Sequence, residues 1–474
     1  MSVSGLSQLN QGVSFLPRIT VRDKLRQESI LLKFWILHQV RNDSSSNNGR
    51  QKTILLLLIL TCIFFPLPVR AQEDNANDFT SLLSSFDIHG FYEMRAGYRL
   101  RKDKYQKDMS IMENRLQLDL SSYLDWADLK FKGDFLGDLV TEEAGFDLRE
   151  ANIFTMPFDF MDLKIGRQVL TWGTGDLIFI NDLFPKDWQS FFIGRDVEYL
   201  KAPSDAVKMS VFSKLANLDI VYTPQFDPDR LIRGRRLSYW NSNLVRLAGQ
   251  DAIQHTDKPN RWSRDSEIAA RLFKNINNYE FALYGYRGYW KSPAGQNVTG
   301  SQAIFPDLNV YGASALGAVG EGIGNLEFGY YESDDDQSGR NRLVNNSELR
   351  FLAGYTQEIG KDFTAGVQYY LEHMLDYGQH IDGMPVGLAR DRDRHLVTMR
   401  LTKLLMNQNL CCSLFTYFSP ADKDVYMRPN LHYKASDNLA VEVGTNIFFG
   451  DYPNTFFGQF RDNTNIYVGL RYSF

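Results

Sequence analysis

The residues best suited to chemistry in this chain are arginines that cluster between positions 225 and 265. Four of them are closely spaced: Arg230, Arg233, Arg235 and Arg236. Tyr239, Trp240 and Trp262 follow within the same segment. Guanidinium groups bind carboxylates through paired hydrogen bonds and stack on aromatic faces. The segment is therefore a candidate binding region for anions or acidic sugars, provided that the fold brings it to a cavity.

Catalytic, metal-binding and redox motifs are not visible in the sequence. The seven histidines show no metal-ligand spacing, and the acidic run Asp334–Asp336 lacks the spaced ligands and turn glycine of a calcium loop. Cys411 and Cys412 are adjacent, so on a strand they point to opposite faces and provide no disulfide framework. We therefore predict no catalytic residue, no metal site and no cofactor.

Composition argues against two large classes of protein. The formal net charge is -5, and an acidic chain lacks the basic face that nucleic-acid binding needs. Hydrophobic residues make up 43% of the chain, and the mean hydropathy is -0.33. A membrane protein built of many helices would need several apolar runs of roughly 20 residues. Strands that alternate apolar and polar residues are compatible with these values.

Residues 51–71 have the pattern of a cleavable export signal. Arg50 and Lys52 precede an apolar run at 54–65, and a short segment with two prolines ends at Ala71. A run of this length is too short to span about 30 Å of hydrocarbon as a helix. We therefore predict a signal peptide at 51–71 that is cut after Ala71.

Two further segments flank this leader, at 1–50 and 72–85. Residues 1–50 precede a signal of a kind that normally begins a chain, so we interpret them as a start codon assigned too early or as an unstructured extension. Residues 72–85 are polar, and we predict a flexible periplasmic N-terminus there. The folded domain is then expected at 86–474.

Long stretches of this domain alternate apolar and polar residues. From Phe86 to Leu100 the even positions are mostly apolar and the odd positions mostly charged or polar. The same alternation recurs at 127–139, 363–372 and 439–447. A strand places successive side chains on opposite faces, and typical strands of soluble proteins are only about 5–6 residues long. The length of these runs favours strands that cross a membrane, which need about 9–11 residues.

The links between the runs alternate between short and long. Eighteen candidate strands lie near 86–100, 109–123, 127–140, 146–156, 161–172, 205–214, 217–224, 266–274, 279–290, 307–318, 322–332, 346–357, 362–373, 394–405, 410–419, 424–435, 438–449 and 464–474. Transmembrane barrels join their strands by short turns at one end and longer loops at the other. We predict an all-β fold, a transmembrane antiparallel up-and-down β-barrel of about 18 strands over 86–474. A count of 16 stays open, because strand boundaries read from sequence are uncertain.

The last strand carries a third, independent feature. Its apolar face runs through Ile466, Val468 and Leu470 to Tyr472 and the terminal Phe474. A final amphipathic strand that ends in Phe looks like the assembly signal of bacterial outer-membrane proteins. We therefore predict that Tyr472 and Phe474 engage the barrel-assembly machinery.

The most distinctive stretch of the sequence contains five residues: Gly166, Arg167, Gln168, Trp172 and Gly173. With its surroundings at 163–187, it resembles a strand and the following loop of alginate-export-like outer-membrane porins of Gram-negative bacteria. The resemblance covers 86–474 in layout, whereas the specific motif is confined to this stretch. It implies a porin-like barrel that is a monomer rather than a trimer, and it does not imply that alginate is the substrate.

The orientation of Arg167 conflicts with strict alternation. Counting from Met161, Leu163 and Ile165, Arg167 would face lipid, where an arginine at the membrane midplane costs about 2–4 kcal/mol. Either a bulge at Gly166 turns Arg167 inward, or Arg167 lies near the rim. We favour the bulge.

A barrel of this size encloses an aqueous lumen, whose charged residues set selectivity. Four arginines on the strands are candidates for the pore lining: Arg95, Arg115, Arg400 and Arg428. We predict a passive outer-membrane channel for ions and small hydrophilic solutes, anionic or saccharide-like. Its expected partners are outer-membrane lipid, lipopolysaccharide and those solutes.

Three placements of the segment 225–265 stay open. Inside the lumen it would form the constriction, outside it would bind the phosphates of lipopolysaccharide, and the third alternative is a plain solvated loop. Two other functions also stay open, namely an outer-membrane scaffold or export component that binds a partner protein, and a barrel hydrolase. For the hydrolase the sequence offers only weak candidates near His373 and His395, so we expect no enzymatic activity.

Overall fold

The computed structural model describes residues 86–382 and 390–474. The extension predicted at 1–50, the signal peptide predicted at 51–71 and the N-terminal segment predicted at 72–85 lie outside the described residues. Within the described ranges, no helix is long and apolar enough to cross a membrane.

Eighteen long strands form the main sheet, and we number them β1 to β18 in chain order. Their bounds are β1 Asp87–Arg99, β2 Met109–Tyr123, β3 Asp128–Asp138, β4 Glu143–Phe158, β5 Met161–Val169, β6 Pro203–Val211, β7 Asn217–Thr223, β8 Glu267–Ile276, β9 Tyr279–Tyr289, β10 Asp307–Val319, β11 Gly322–Ser333, β12 Glu348–Gly360, β13 Phe363–Met374, β14 Asp393–Leu405, β15 Leu410–Ser419, β16 Asp424–Lys434, β17 Leu439–Gly450 and β18 Asn465–Ser473. Each lies where the alternation of apolar and polar residues predicts a strand.

The first and last strands close the sheet into a barrel. Each strand pairs antiparallel with its neighbours in the chain, and β1 also pairs along its length with β18. Beyond this pairing, Gly90 and the terminal Phe474 exchange two backbone hydrogen bonds of 3.0 Å. The described strands therefore form a closed antiparallel up-and-down barrel of 18 strands, which confirms the predicted fold class.

The links alternate in length around the barrel. One end has short turns such as 277–278, and the other has long links such as 170–202 and 224–266. Two links at the long-link end, 139–142 and 420–423, are short exceptions. Because the strand number is even, β1 begins and β18 ends at the short-turn end.

The two faces of the barrel wall differ in chemistry. On β1, the outward Met94 and Tyr98 are 45% and 51% exposed, whereas the inward Glu93 and Arg95 are each 4% exposed. Such an arrangement reverses that of a soluble protein, since apolar side chains lie outside and charged ones inside. It is the arrangement of a barrel whose outer face contacts hydrocarbon.

Short elements occur within the long links. They are helix α1 (Trp188–Ile193), helix α2 (Tyr377–Ile381), 3₁₀ turns at Val197–Leu200, Asp334–Asp336 and Gly458–Asn463, and short strands at Tyr239–Asn241, Arg246–Ala248, Thr256–Asp257, Gly295–Gln296 and Ala303–Ile304. The side chain of Asp187 caps α1 by accepting a hydrogen bond of 2.8 Å from the Ser190 amide. The helix ends at Gly194, whose φ of 90° favours glycine. The local sequence thus fixes both ends of α1.

The favoured bulge at Gly166 is wrong, because residues 165–167 pair in unbroken register with both neighbouring strands. Arg167 lies on the outer face and close to the long-link end of β5, so the rim placement is the correct alternative. Its Nη1 lies 3.1 Å from the carboxylate of Asp205 on β6, and its Nε donates to the carbonyl of Leu148 at 2.7 Å. These partners, together with the rim position, allow an outward arginine without the cost of a midplane charge.

We expect the outer face to tolerate arginine poorly. Leu283 lies in the middle of β9 and is 60% exposed, so Leu283→Arg should lower the free energy of unfolding from lipid vesicles by ~2–4 kcal/mol. Leu215 lies in the turn between β6 and β7 and is 80% exposed, so Leu215→Arg should change that free energy by less than about 0.5 kcal/mol. Denaturant titration measures both values, and equal losses would contradict a hydrocarbon-facing wall.

Candidate functional site

Residues 170–202, between β5 and β6, lie inside the barrel, and we call them the lumen segment. They contact inward residues of strands around the whole lumen. These wall residues include Arg95, Glu113, Glu327, Gln368, Arg400, Tyr417 and Tyr426. Because the contacts extend from β1 to β16, the segment crosses the interior and narrows it.

Glu327 on β11 holds the beginning of the lumen segment. Its buried carboxylate accepts hydrogen bonds from the Thr174 amide, from the Thr174 hydroxyl at 2.9 Å, from the Gly175 amide at 2.8 Å and from Asn181 Nδ2 at 3.0 Å. Gly173, just before these donors, has a φ of 82° and leaves room for the carboxylate. Hydrogen bonds to a charged acceptor are about twice as strong as neutral ones. One wall carboxylate therefore holds both ends of this turn, at Thr174 and Gly175 and at Asn181.

A second anchor lies at Asp176. Its carboxylate accepts two hydrogen bonds from Arg400 on β14, one of them at 2.7 Å from Nη2. The side-chain amide of Gln368 on β13 pairs with the backbone of Asp176, accepting from its N–H at 2.7 Å and donating to its carbonyl at 2.8 Å. Arg400 and Gln368 thus fix both the side chain and the backbone of one residue.

Helix α1 packs on aromatic residues of the wall. Phe191 and Phe192 are each 1% exposed. The Phe192 ring lies edge-on to Tyr426 at 5.2 Å and to Phe448 at 5.6 Å between ring centroids. Such aromatic pairs contribute about 0.5–1.5 kcal/mol each beyond their burial. The middle of the lumen segment is therefore held by apolar contacts, and its two ends by charged ones.

The end of the lumen segment lies in a network of charges. Arg195 pairs with Glu113 on β2, with Nε–Oε2 at 2.9 Å. Asp196 and Glu198 both face Arg471 on β18, at 3.3 and 3.6 Å. Burial and the neighbouring Asp196 raise the pKa of Glu198. Burial acts on Asp196 in the same direction, but Arg471, the Glu198 amide, Arg95 and Arg428 together outweigh it and lower the pKa of that carboxyl.

The arginine-rich segment reaches the mouth of the barrel, where Arg230 and Arg236, two of the four closely spaced arginines, pair with carboxylates that are buried or half-buried. Arg230 forms two hydrogen bonds with Asp147 on β4, at 2.6 and 2.7 Å. Arg236 is 1% exposed, and it pairs with Asp138 on β3 and with Glu113. These guanidinium groups connect the segment to the wall, and their charges are neutralised there.

The other two arginines of this group are exposed. Arg235 Nη1 lies 2.8 Å from Glu143, and both side chains are more than half exposed. Arg233 donates to the Thr256 hydroxyl at 3.0 Å. Exposed pairs of this kind contribute little to stability. Whether the segment forms the constriction therefore stays a prediction.

Asp229 connects three of the long links. Its carboxylate accepts hydrogen bonds from the Lys186 amide at 2.7 Å, from Trp188 Nε1 at 3.2 Å and from the Ser292 hydroxyl at 2.6 Å. Burial raises the pKa of Asp229, although these donors oppose the shift. The arginine-rich segment and the lumen segment thus share one buried acceptor.

The four strand arginines predicted to line the pore all lie on the inner face. Arg95 pairs with Glu93 at 3.1 Å and with Glu442 at 2.6 Å, and Arg115 pairs with Asp134. The charges of Arg95 and Arg115 are therefore compensated by wall carboxylates. Their role in conduction stays a prediction.

Arg428 differs from the other three. Its Nη2 donates to the carbonyl of Arg195 at 2.6 Å, and its guanidinium lies 5.0 Å from the Phe191 ring centroid. Among the described residues, no carboxylate lies within 4.0 Å of it. Arg428 and Arg400 line a lumen recess of about 140 Å³, together with His432, Asp196 and Glu442 among others.

Two residues of the distinctive motif, Gln168 and Trp172, contact other residues of the barrel. Gln168 is 1% exposed and donates to the carbonyl of Ala206 at 3.1 Å. Trp172 packs edge-on against Phe184 at 5.0 Å between ring centroids.

At the other end of the chain, Tyr472 and Phe474 are 53% and 48% exposed on the outer face. Their engagement with the assembly machinery stays a prediction.

The histidines of the hydrolase alternative lie near the long-link end of β13 and β14. His373 Nδ1 is 2.6 Å from Asp393, and His395 Nδ1 is 2.7 Å from the Tyr369 hydroxyl. In the part of the chain that the structure describes, no ring nitrogen of His373 or His395 is hydrogen-bonded to a serine or cysteine side chain. The described residues also contain no group of three or more side chains placed to hold a metal ion.

Comparison with known proteins bears on the fold. No protein-family profile and no curated protein matches the chain. Among solved structures, it is similar to OccAB2 and OccAB4 of Acinetobacter baumannii, each with a TM-score of 0.51, at 11% and 10% identity, over 82% of this chain and 98% of theirs. It is also similar to OccK3 (OpdO) of Pseudomonas aeruginosa, with a TM-score of 0.50 at 12% identity, over 82% of this chain and 96% of that one.

These neighbours are Gram-negative outer-membrane porins. At such low identity, the similarity shows the fold alone, a closed antiparallel barrel of the porin type. The finer resemblance to alginate-export-like porins stays a prediction.

We expect Glu327 to control the order of the turn at 174–181. Glu327→Gln should raise the exchange rates of the Thr174 and Gly175 amides by about tenfold or more, because hydrogen bonds to charged groups contribute roughly 1.5–3 kcal/mol. Hydrogen–deuterium exchange of the folded protein measures these rates.

The matched control is Glu280→Gln, because Glu280 is an inward wall carboxylate that pairs with Arg271. It should leave exchange at 174–181 unchanged. Equal exchange in the wild type and in Glu327→Gln would show that aromatic packing, rather than Glu327, orders the turn.

Proposed function

We propose that this chain is a porin-like channel of the bacterial outer membrane, through which small hydrophilic solutes diffuse passively. One observation carries the proposal: a closed barrel with an apolar outer face holds an inserted segment, 170–202, against a charged inner wall. The similarity to outer-membrane porins of the same fold supports it. In such an arrangement the inserted segment narrows the path, and the charges around it select the solute.

We further propose that the solutes are anionic or saccharide-like. Arg428 supports this preference, because it lies beside the lumen segment and lines a recess of the lumen. Arg400 lines the same recess, but its guanidinium is paired with Asp176. Arg428 makes its hydrogen bond to a carbonyl rather than to a carboxylate, so its positive charge acts on a passing solute. Arg233 and Arg235, which are exposed at the mouth, are secondary candidates for attracting anions.

The proposal has three further parts. The chain is exported through the leader at 51–71 and assembled through Tyr472 and Phe474. The barrel is a monomer in contact with lipid and lipopolysaccharide. The apolar face of β18, which ends at an exposed Phe474, supports the assembly role. The closed barrel encloses its own lumen, which supports a pore within one chain.

Planar-bilayer recording of the folded protein under a salt gradient tests the proposal. We expect stable conductance steps and a reversal potential that indicates a preference for anions. Arg428→Gln should reduce this preference, because it removes a lumen charge without a carboxylate partner. Arg428→Lys, which keeps the charge, should retain it.

Lys274→Gln is the control for the loss of one positive charge, because Lys274 lies on the outer face near the end of β8. It should leave the reversal potential unchanged. A preference for cations would contradict the anionic solutes but not the channel. Folded, heat-modifiable protein that gives no conductance would contradict the channel and favour a scaffold or export component.

A further inference from the structure

A depression in the outer wall interrupts the apolar band near the short-turn end. It has a volume of about 490 Å³ and crosses strands β13 to β17. Its larger lining side chains are those of Phe363, Leu401, Leu414, Leu431 and Val443. The smaller Cys412 and Pro429 lie between them, in register with their neighbours on adjacent strands. We call this depression the outer groove.

Pro429 accounts for the position of the groove. Proline has no amide hydrogen and is rare inside a sheet. On the side of β17, Met427 and Asn430 have register partners, whereas Arg428 and Pro429 have none. On the other side, Pro429 lies opposite Leu414 on β15. The ladder is thus interrupted at a residue with a short, fixed side chain, and that residue lines the groove.

A cation lies at the edge of the groove toward the short-turn end. Lys403 lines the groove from the outer face of β14, close to the end of that strand. Its ammonium donates to the carbonyl of Lys361 at 2.7 Å, in the adjoining turn. Among the described residues, no carboxylate lies within 4.0 Å of it. A lysine at the end of a membrane strand extends its ammonium toward the polar headgroups.

We propose that the outer groove binds one phospholipid from the leaflet at the short-turn end. One of its acyl chains occupies the groove and its phosphate contacts Lys403. An acyl chain in a groove contacts wall atoms on more than one side, so it gains more dispersion contacts than a chain on a flat wall. The ammonium of Lys403, which has no carboxylate partner among the described residues, complements the charge of a phosphate. The proposal depends on the proposed membrane location of the barrel and not on conduction.

The source of the lipid follows from the position of the groove. Short turns of transmembrane barrels face the periplasm, so the neighbouring leaflet is the inner one. Lipopolysaccharide occupies the opposite leaflet, whose headgroups lie at the long-link end, away from Lys403. The bound phosphate therefore belongs to a phospholipid.

The test measures the phospholipid that stays bound after extraction into a mild detergent, by native mass spectrometry of the folded barrel. Lys403→Gln should lower the retained phospholipid about fivefold, which corresponds to ~1 kcal/mol for one lysine near an anionic surface. The matched control is Lys274→Gln. Lys274 lies opposite Phe281 near the end of β8, just as Lys403 lies opposite Phe363 near the end of β14, and it does not line the groove. The control should retain as much phospholipid as the wild type.

A second pair of variants tests the groove itself. Cys412→Leu fills it and should also lower the retained phospholipid. Ala313→Leu, on the outer face of β10 between Leu283 and Phe328, adds the same bulk away from the groove and should not. If one variant of either pair fails to show the heat-modified mobility of a folded barrel, the other pair decides the outcome.

Three results would overturn the proposal: equal retention in Lys403→Gln and the wild type, equal losses in a variant and its control, or bound lipopolysaccharide in place of phospholipid. Bilayer recording of the same preparation separates the two hypotheses. Conductance without phospholipid retention contradicts only the lipid site. Phospholipid retention without conductance contradicts only the channel.

Discussion

Hydrocarbon offers no hydrogen-bond partner, so a wall that crosses a membrane must satisfy every backbone amide within itself. The pairing of β1 with β18, completed by Gly90 and Phe474, meets this constraint by closing the sheet. The closed barrel has an even number of strands, so its first and last strands begin and end at the same end of the barrel. Its outer face is apolar. Closure also creates the interior. The polar backbone of the lumen segment is tolerated there because it contacts protein rather than lipid.

The interior is organised by ion pairs and hydrogen bonds between the wall and the inserted links. Glu327 replaces water as the acceptor for the turn at 174–181, and Gln368 does the same for the backbone of Asp176. Arg236 and Arg195 both pair with Glu113, so the arginine-rich segment and the lumen segment share one wall carboxylate. Breaking one partner of such a buried pair leaves an uncompensated charge, which is costly in a low-dielectric interior. The two links are therefore coupled through the wall as well as through Asp229.

The strands could be predicted from the sequence because their signal is local, whereas the candidate site could not. Alternation along each run and the rhythm of the links give 18 strands, and both follow from neighbouring residues. The anchoring of Thr174 by Glu327 joins positions 153 apart, and no local pattern distinguishes Glu327 from other inward residues of β11. Composition singles out the segment 225–265 for its arginines, but composition does not show that Asp147 and Asp138 neutralise two of them. Arg167 illustrates the same point, because its partner Asp205 lies across a long link and permits an outward arginine at the rim.

For the proposed channel, the number of arginines in the lumen is therefore a poor guide to selectivity. A guanidinium paired with a carboxylate presents a dipole, whose field falls off faster with distance than that of a single charge. Arg95 and Arg115 are of this paired kind. Arg428 is hydrogen-bonded to a neutral carbonyl, so its full charge acts on the recess that it shares with Arg400. Arg428 is 5% exposed and lies beside the buried Phe191 of α1, and a lower effective dielectric in such surroundings strengthens the effect of a charge on a nearby anion. The preference of the pore is thus expected to depend on the few charges that the fold leaves uncompensated, and their placement follows from the way in which the lumen segment is anchored.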